Sequence, residues 1–315
     1  MEPVRGVEAR KLHRFSYWEA SRMRRFACYA LGLSIATFAG CGGSPRAGSL
    51  PAGPPAFSER FAQGTGEVQY FSTSDNALLE FDYPKSESPI GSINFSGGGE
   101  CTEGARTFWT AAADGIAEFK VGGMSPIGVL KVSYATNCAI DPATGDLAAL
   151  SFGGVVIFHK ARGKGKVIAP FAEAYFDGYD NKGNLFVDGF TSAAVFGLLE
   201  LKRGGGTFET ITTSNTVEFP GSVQWDGQYL TVLDQVANAI YQYTVSGTEA
   251  TLKGTVSLSG SADCAQTWIA RPYVYCADAG NNDGEVYKYP AGGSRIATLT
   301  GPFNTPLGVV SLRVR

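Results

Sequence analysis

Phe176-Asp177-Gly178-Tyr179-Asp180-Asn181-Lys182-Gly183-Asn184-Leu185-Phe186-Val187-Asp188-Gly189 reads as two short strands around a tight turn. Asp and Asn beside a Gly supply a side-chain cap and a backbone of positive φ, which is what such a turn requires. Cys138-Ala139-Ile140-Asp141-Pro142-Ala143-Thr144-Gly145-Asp146-Leu147 and Val223-Gln224-Trp225-Asp226-Gly227-Gln228-Tyr229-Leu230 repeat the plan. A repeated hairpin makes internal periodicity the first property to measure.

The period shows in a column of β-rich runs. These are Leu78-Leu79-Glu80-Phe81, Ile116-Ala117-Glu118-Phe119, Val155-Val156-Ile157-Phe158, Leu198-Leu199-Glu200-Leu201, Ile240-Tyr241-Gln242-Tyr243 and Val286-Tyr287-Lys288-Tyr289. The six copies stand 38 to 46 residues apart. Each is followed by a Gly- or Pro-containing turn and a further strand, such as Gly91–Phe95, Phe208–Thr212 or Ile296–Thr300. Four strands in about forty residues is the arithmetic of a β-propeller blade, and nothing after residue 67 keeps a helical period. The first repeat starts at its second strand, Val68–Phe71, and Pro306–Leu312 is a lone strand at the other end. The expected fold is all-β: a six-bladed propeller over residues 67–315, with the C-terminal strand pairing into the first blade to close the ring. Closure removes exposed sheet edges, and a monomer is expected.

Asp180-Asn181-Lys182-Gly183-Asn184-Leu185-Phe186-Val187-Asp188 resembles the NHL-type blade consensus, and the six-bladed plan is similar to NHL, TolB-like and SMP-30/gluconolactonase-like propellers. The chain also resembles a group of exported bacterial proteins carrying this signature. The resemblance covers 67–315 and speaks to fold. These superfamilies hold binders and enzymes alike, so it implies no reaction.

Residues 1–41 read as an address. Met23-Arg24-Arg25 precedes an uncharged apolar run, Phe26–Gly40, too short for a membrane span. Phe38-Ala39-Gly40-Cys41 resembles the lipobox of bacterial lipoproteins, which implies cleavage before Cys41 and a diacylglycerol on its thiol. Phe38 stands where Leu is usual. Gly42, rather than Asp, implies outer-membrane sorting in a two-membrane cell. The mixed-charge stretch 1–22 fits a leader poorly, so translation is expected to start at Met23. Residues 42–66, rich in Gly, Pro, Ala and Ser, read as a flexible tether. The expected location is the cell envelope or surface, with the membrane as a partner through the lipid.

The full chain of 315 residues carries 26 basic and 29 acidic side chains. Residues 1–40 hold seven of the basic and three of the acidic ones, so their removal leaves 19 against 26, a charge of −7, and His159 as the sole histidine. An acidic chain without a basic stripe excludes nucleic acid as the main partner. His159, in an alternating run beside Lys160, reads as an exposed strand residue. With one base and no nucleophile elbow, P-loop or dinucleotide fingerprint, catalytic residues are expected to be none.

Exported cysteines are expected to pair. Cys264 and Cys276 flank the turn at Ala270-Arg271-Pro272 and are expected to face each other. Cys101 and Cys138 take matching places on neighbouring first strands, about 7–8 Å apart for strands at that radius, the limit of a disulfide. Glu100, Asn137, Asp177, Asp263 and Asn304 stand just before the inner strands. Carboxylates and amides converging on an axis suit Ca²⁺ or another divalent metal, and the resemblance to SMP-30-like lactonases implies the same kind of donor set. The alternative is a ring of hydrated loop ends. Asp188, Asp234 and Asp278 read as loop caps. Trp109, Tyr179, Trp225 and Trp268 read as packing between blades, or as a platform for sugar or peptide. The expected function is a non-catalytic binding or scaffolding propeller for a protein, peptide or glycan. The alternative is a lactonase-like hydrolase with a metal in the central funnel.

Overall fold

The structure, a computed structural model, describes residues 67–313 apart from 75–76, 103, 105–106, 152–153 and 169–172. The expected leader, Cys41 and the tether lie outside the described residues. The described chain is built of strands, with a single short 3₁₀ turn at His159–Ala161.

Five sheets carry the fold. The first joins β1 (Glu67–Thr73), β2 (Leu78–Phe81) and β3 (Gly91–Ile93) to the last strand, β25 (Pro306–Arg313), in the order β25-β1-β2-β3. The second is β4 (Glu100–Thr102), β5 (Thr107–Ala112), β6 (Gly115–Lys120) and β7 (Gly128–Leu130). The third is β8 (Ala135–Ile140), β9 (Leu147–Ser151), β10 (Gly154–Phe158) and β11 (Lys166–Ile168). A nine-stranded sheet follows. It holds β12 (Glu173–Tyr179), β13 (Leu185–Phe190), β14 (Phe196–Leu201) and β15 (Glu209–Thr213), then β16 (Pro220–Trp225), β17 (Leu230–Asp234), β18 (Ala239–Ser246) and β19 (Glu249–Ser259). The last sheet is β20 (Cys264–Ala270), β21 (Tyr273–Asp278), β22 (Asp283–Lys288) and β24 (Ala297–Leu299); β23 (Gly293–Ser294) pairs with β19 instead.

The separate four-stranded sheets therefore number four, where the repeat arithmetic expects six. The cause is the length of β19. Other outer strands, such as β3, β7, β11 and β24, have three residues, whereas β19 has eleven. Its start reaches β15 in a parallel bridge, Thr212↔Glu249 and Thr213↔Ala250, and its end reaches β23. Two antiparallel meanders, β12–β15 and β16–β19, are thereby fused at their outer edges.

Apolar side chains from facing sheets fill the space between consecutive meanders. Phe71, Leu79 and Phe81 meet Tyr275, Val286 and Leu299; Trp109, Ala111 and Ile116 meet Cys138, Leu147 and Phe158; Phe186 and Leu198 meet Val223, Val232 and Tyr243. The first strands β25, β4, β8, β12, β16 and β20 contact one another in that cyclic order. β25 closes the cycle by pairing along β1 from Glu67↔Arg313 to Thr73↔Pro306.

Buried aspartates cap the loops. Asp234 takes N–H donors from Glu218, Phe219, Val236 and Ala237 at 2.8–3.3 Å. Asp278 receives Ala262 N, Asp263 N, Gly280 N and Asn281 N, and the Ser261 hydroxyl. Asp188 links two meanders, accepting Phe176 N on one side and Gly221 N on the other. In the hairpin turn, Asp180 Oδ1 takes Lys182 N and Asn184 N, and Gly183 supplies a φ of 81°. Orphaning buried donors is costly, so Asp234→Ala is expected to lower stability by about 3 kcal/mol, read as a fall in the urea midpoint with an unchanged m-value.

Candidate functional site

Backbone irregularity aims the inner side chains. Register slips occur between Ala135 and Asn137, Ala174 and Phe176, Pro220 and Val223, and Cys264 and Gln266. A bulge bends its strand and re-aims the residues that follow. Asn137, Asp177, Ser222 and Gln266 sit at or just after these slips. Together with Glu100 on β4 they border a cavity of about 420 Å³ at the centre of the first strands. The sixth strand, β25, carries Gly308 at this level. A Cβ there would lie 2.8 Å from Glu100 Cγ and would also collide with the Gly98 carbonyl, so only Gly leaves space for the glutamate.

Buried polar groups form the floor. Asn137 Nδ2 donates to Asp177 Oδ1 at 2.7 Å. Gln266 Nε2 donates to Glu100 O (2.8 Å) and Asn137 Oδ1 (3.4 Å), while Gln266 Oε1 accepts Glu100 N and Val309 N, both at 2.9 Å. The Ser222 and Thr267 hydroxyls lie 2.6 Å apart. Asp177 Oδ2 has no hydrogen-bond partner. Ser72 and the Val310 amide approach Glu100, but the Ser72 hydroxyl donates to Gly98 O at 2.5 Å. Burial pushes the carboxyls of Glu100 and Asp177 well above the ordinary range. Half-buried Tyr179, Trp225 and Trp268 form the rim, with Thr102, Pro142 and Asn181 beside them. Among the described residues that border the cavity there is no Lys, Arg or His.

The structure thus brings together Glu100, Asn137 and Asp177 and leaves out Asp263 and Asn304. Asp263 N donates to Asp278 Oδ1 at 3.0 Å, and its carbonyl accepts Ala279 N. Asn304 is exposed, and its carbonyl accepts the Ser74 hydroxyl. The error has a cause. Glu100, Asn137 and Asp263 each precede a cysteine, yet Cys264 stands before its bulge and Gln266 after it. Gln266 and Ser222 carry no signal except their place in the repeat relative to a bulge.

Cys101 and Cys138 are bonded across β4 and β8, with Cα atoms 5.6 Å apart, and form one wall of the cavity. Cys264 and Cys276 are bonded within one sheet at a Cα distance of 5.7 Å. They are not directly opposed: Cys264 faces Asp278 and Cys276 faces Thr267, because of the bulge. His159 is exposed, with Nδ1 2.9 Å from Asp146 Oδ1, on the short turn after β10 rather than in a strand. Trp109 packs in the core and does not reach the cavity. Cys276, Asp278 and Glu285 form an acidic cluster with metal-like spacing. The Cys276 sulfur is bonded to Cys264, and the Asp278 oxygens are filled by backbone donors. Glu285 accepts Tyr287 OH and pairs with Arg295. That set has no open coordination to offer.

A carboxyl whose pKa is raised by folding holds a proton that the unfolded chain has already lost. Its stabilising contribution is complete below the unfolded value and fades as pH rises towards the folded one. Glu100→Gln is therefore expected to match the wild type in acid and to exceed it increasingly as pH passes about 4.3, the ordinary glutamate value. Urea midpoints of both proteins at a series of pH values give the comparison; a gap that narrows with rising pH contradicts the assignment.

No protein-family model matches the chain, and no curated protein is similar to it. Solved structures do resemble it. A chain in the crystal structure of a nidogen/laminin complex aligns with a TM-score of 0.65 and 10% identity, over 79% of this chain and 100% of that one. A protein of unknown function from Bacteroides caccae aligns at 0.58 and 13%, over 79% and 100%. A functionally unknown protein from Desulfotomaculum acetoxidans DSM 771 aligns at 0.51 and 12%, over 81% and 88%. At these identities the likeness concerns fold alone: an all-β, propeller-like arrangement.

Proposed function

We propose that the chain is a six-bladed propeller, exported and tethered through a lipid on Cys41 to a bacterial envelope. It acts there, without catalysis, as a binding or scaffolding module for a protein, peptide or glycan. The six-blade reading takes the nine-stranded sheet as two blades fused by the two-pair bridge of β15 and β19. The cyclic contact of six first strands supports it, as do the β25–β1 seam and the likeness of the Asp180–Asp188 hairpin to NHL-type blades. The observation that carries the binding reading is the cavity: about 420 Å³, polar at the floor and aromatic at the rim. Such a size and lining suit a bound ligand. His159, on the turn after β10, lies outside it.

One observation favours a second reading, a lactonase-like hydrolase with a divalent metal: two buried carboxyls, Glu100 and Asp177, border the cavity, and Asp177 Oδ2 has no partner. A Ca²⁺ ion takes six to eight oxygens at about 2.3–2.6 Å, and two of the five donors expected for it, Asp263 and Asn304, lie elsewhere.

Trp225 and Trp268 report on the cavity, so the binding reading predicts a fluorescence change with peptide or oligosaccharide panels that is lost in Trp225→Ala. Elemental analysis with Ca²⁺ and EDTA thermal shifts separates the second reading: stoichiometric metal and a shift of several degrees favour it, and their absence removes it. For the tether, metabolic labelling with a palmitate analogue in a bacterial host is expected to mark the wild type and not Cys41→Ala. Equal labelling of both sinks the lipid assignment.

A further inference from the structure

We infer that the end of the ring at which the cavity opens is a docking surface for an anionic lipid bilayer. Its contacts are a cationic turn on the third sheet and an apolar turn beside it on the second. The tether reading above brings a bilayer within reach, but the contact is made by the folded chain and not by the lipid.

Strand direction tells the two ends apart. Neighbouring first strands run the same way: Ser222 takes Thr267 N, Gln224 takes Ile269 N and Asp226 takes the Arg271 guanidinium. The floor residues Asp177, Ser222 and Gln266 stand two or three residues before the rim residues Tyr179, Trp225 and Trp268. The cavity therefore opens where first strands end. Glu67, where the proposed tether joins the fold, pairs with Arg313 at the end of β25 and lies at this end as well. An antiparallel meander returns its third-to-fourth turn to the end that holds its first-to-second turn. Residues 121–127, between β6 and β7, and 159–165, between β10 and β11, are two such turns. Asp146 of the β8–β9 turn fixes the second of them, accepting Lys160 N at 2.8 Å and standing 2.9 Å from His159 Nδ1.

Charge gathers here against the sign of the whole chain. Lys160, Arg162, Lys164 and Lys166 are exposed, as is Lys120 at the end of β6. None of these cations forms an ion pair among the described residues. Residues 119–140 and 147–172 contain no Asp or Glu. Of the acids between them, Asp141 is buried and takes Ala143 N and the Thr144 hydroxyl, and Asp146 is held by the turn itself. Exposed charges farther than about 10 Å are largely screened at about 0.1 M salt, so the local excess decides what approaches.

Apolar side chains share the surface. Met124 and Ile127 are exposed in the turn of the second sheet, and Val167 follows Lys166 in the third. Ile127 and Val167 are 51% and 63% exposed, enough to enter another apolar phase. Ala161 of the cationic turn packs on the cluster that joins the second and third sheets. A soluble polyanion would pair with the cations and leave Met124, Ile127 and Val167 in water. A bilayer takes both, with headgroups for the cations and the acyl boundary for the apolar groups.

The test uses the full chain carrying Cys41→Ala, which removes the proposed lipid, and vesicles of phosphatidylcholine alone or with about a third of phosphatidylglycerol. A Lys or Arg at an anionic bilayer is worth roughly a fivefold gain in affinity. Co-sedimentation is expected to be at least tenfold stronger with the anionic vesicles and to fall at high salt. Lys160→Glu with Arg162→Glu is expected to lower it at least tenfold, and Met124→Ser with Ile127→Ser several-fold. Lys253→Glu, exposed on β19, is expected to change it less than twofold. The substituted side chains are all exposed, and unchanged far-ultraviolet spectra serve as the control for folding. Equal binding to both vesicles, or a charge reversal without effect, overturns the inference. Heparin bound as tightly as vesicles, with the Met124 and Ile127 pair without effect, overturns it in favour of a soluble polyanion. Palmitate labelling decides the tether separately: labelled protein without vesicle selectivity keeps the tether and removes the docking surface, and selectivity without labelling does the reverse.

Discussion

The antiparallel seam between the first and last strands is the contact on which the rest depends. β1 and β25 pair along their lengths, from Glu67↔Arg313 to Thr73↔Pro306. Without it, β1 would present an unpaired inner edge, which in a β protein is a site for aggregation. The cavity depends on the seam as well. β25 lies between β20 and β4, its Val309 N–H is held by Gln266 of β20, and its Gly308 leaves room for Glu100 of β4. One strand drawn from the far end of the chain thus completes the fold and sets the packing of two residues at its centre.

Within the ring, deviation from regular pairing creates the site. A regular strand alternates its side chains between two faces. In β8, β12, β16 and β20 a slip interrupts that alternation close to the axis. The slips bring Asn137, Asp177, Ser222 and Gln266 to one polar level, which the Cys101–Cys138 bond borders by joining β4 to β8. Apolar residues between the sheets carry stability, whereas the axis is left to groups that are expensive to bury.

This division explains what was legible in the sequence. The column from Leu78 to Tyr289 reports half-buried strands, whose chemistry is repeated and local, and every copy falls on the third strand of a meander. The Asp-Gly turns are legible for the same reason, since Asp180 and Gly183 act within five residues. The seam was legible as a surplus strand at one end and a deficit at the other. The floor was legible only in part. Glu100, Asn137 and Asp177 stand out as carboxylates and an amide near strand starts, but a bulge changes which residue faces the axis without changing composition. Asp263 for Gln266 is that error, made easier by the cysteine that follows Asp263. The fusion through β19 was hidden because strand length beyond the usual outer edge depends on a neighbour that accepts the extra residues.

The two acids at the axis bear on how such a site is kept. A buried carboxyl costs stability, and the fold bears that cost here twice, at Glu100 and Asp177. A structure selected for stability alone would place neutral groups at both positions, as Ser222 and Gln266 already stand at two others. The surrounding bonds hold the acids rather than neutralise them. Gln266 clamps the Glu100 backbone from both sides, Asn137 takes only one Asp177 oxygen, and a disulfide joins the strands between them. Burial shows in these two side chains as carboxyls held well above their ordinary range rather than as free charges.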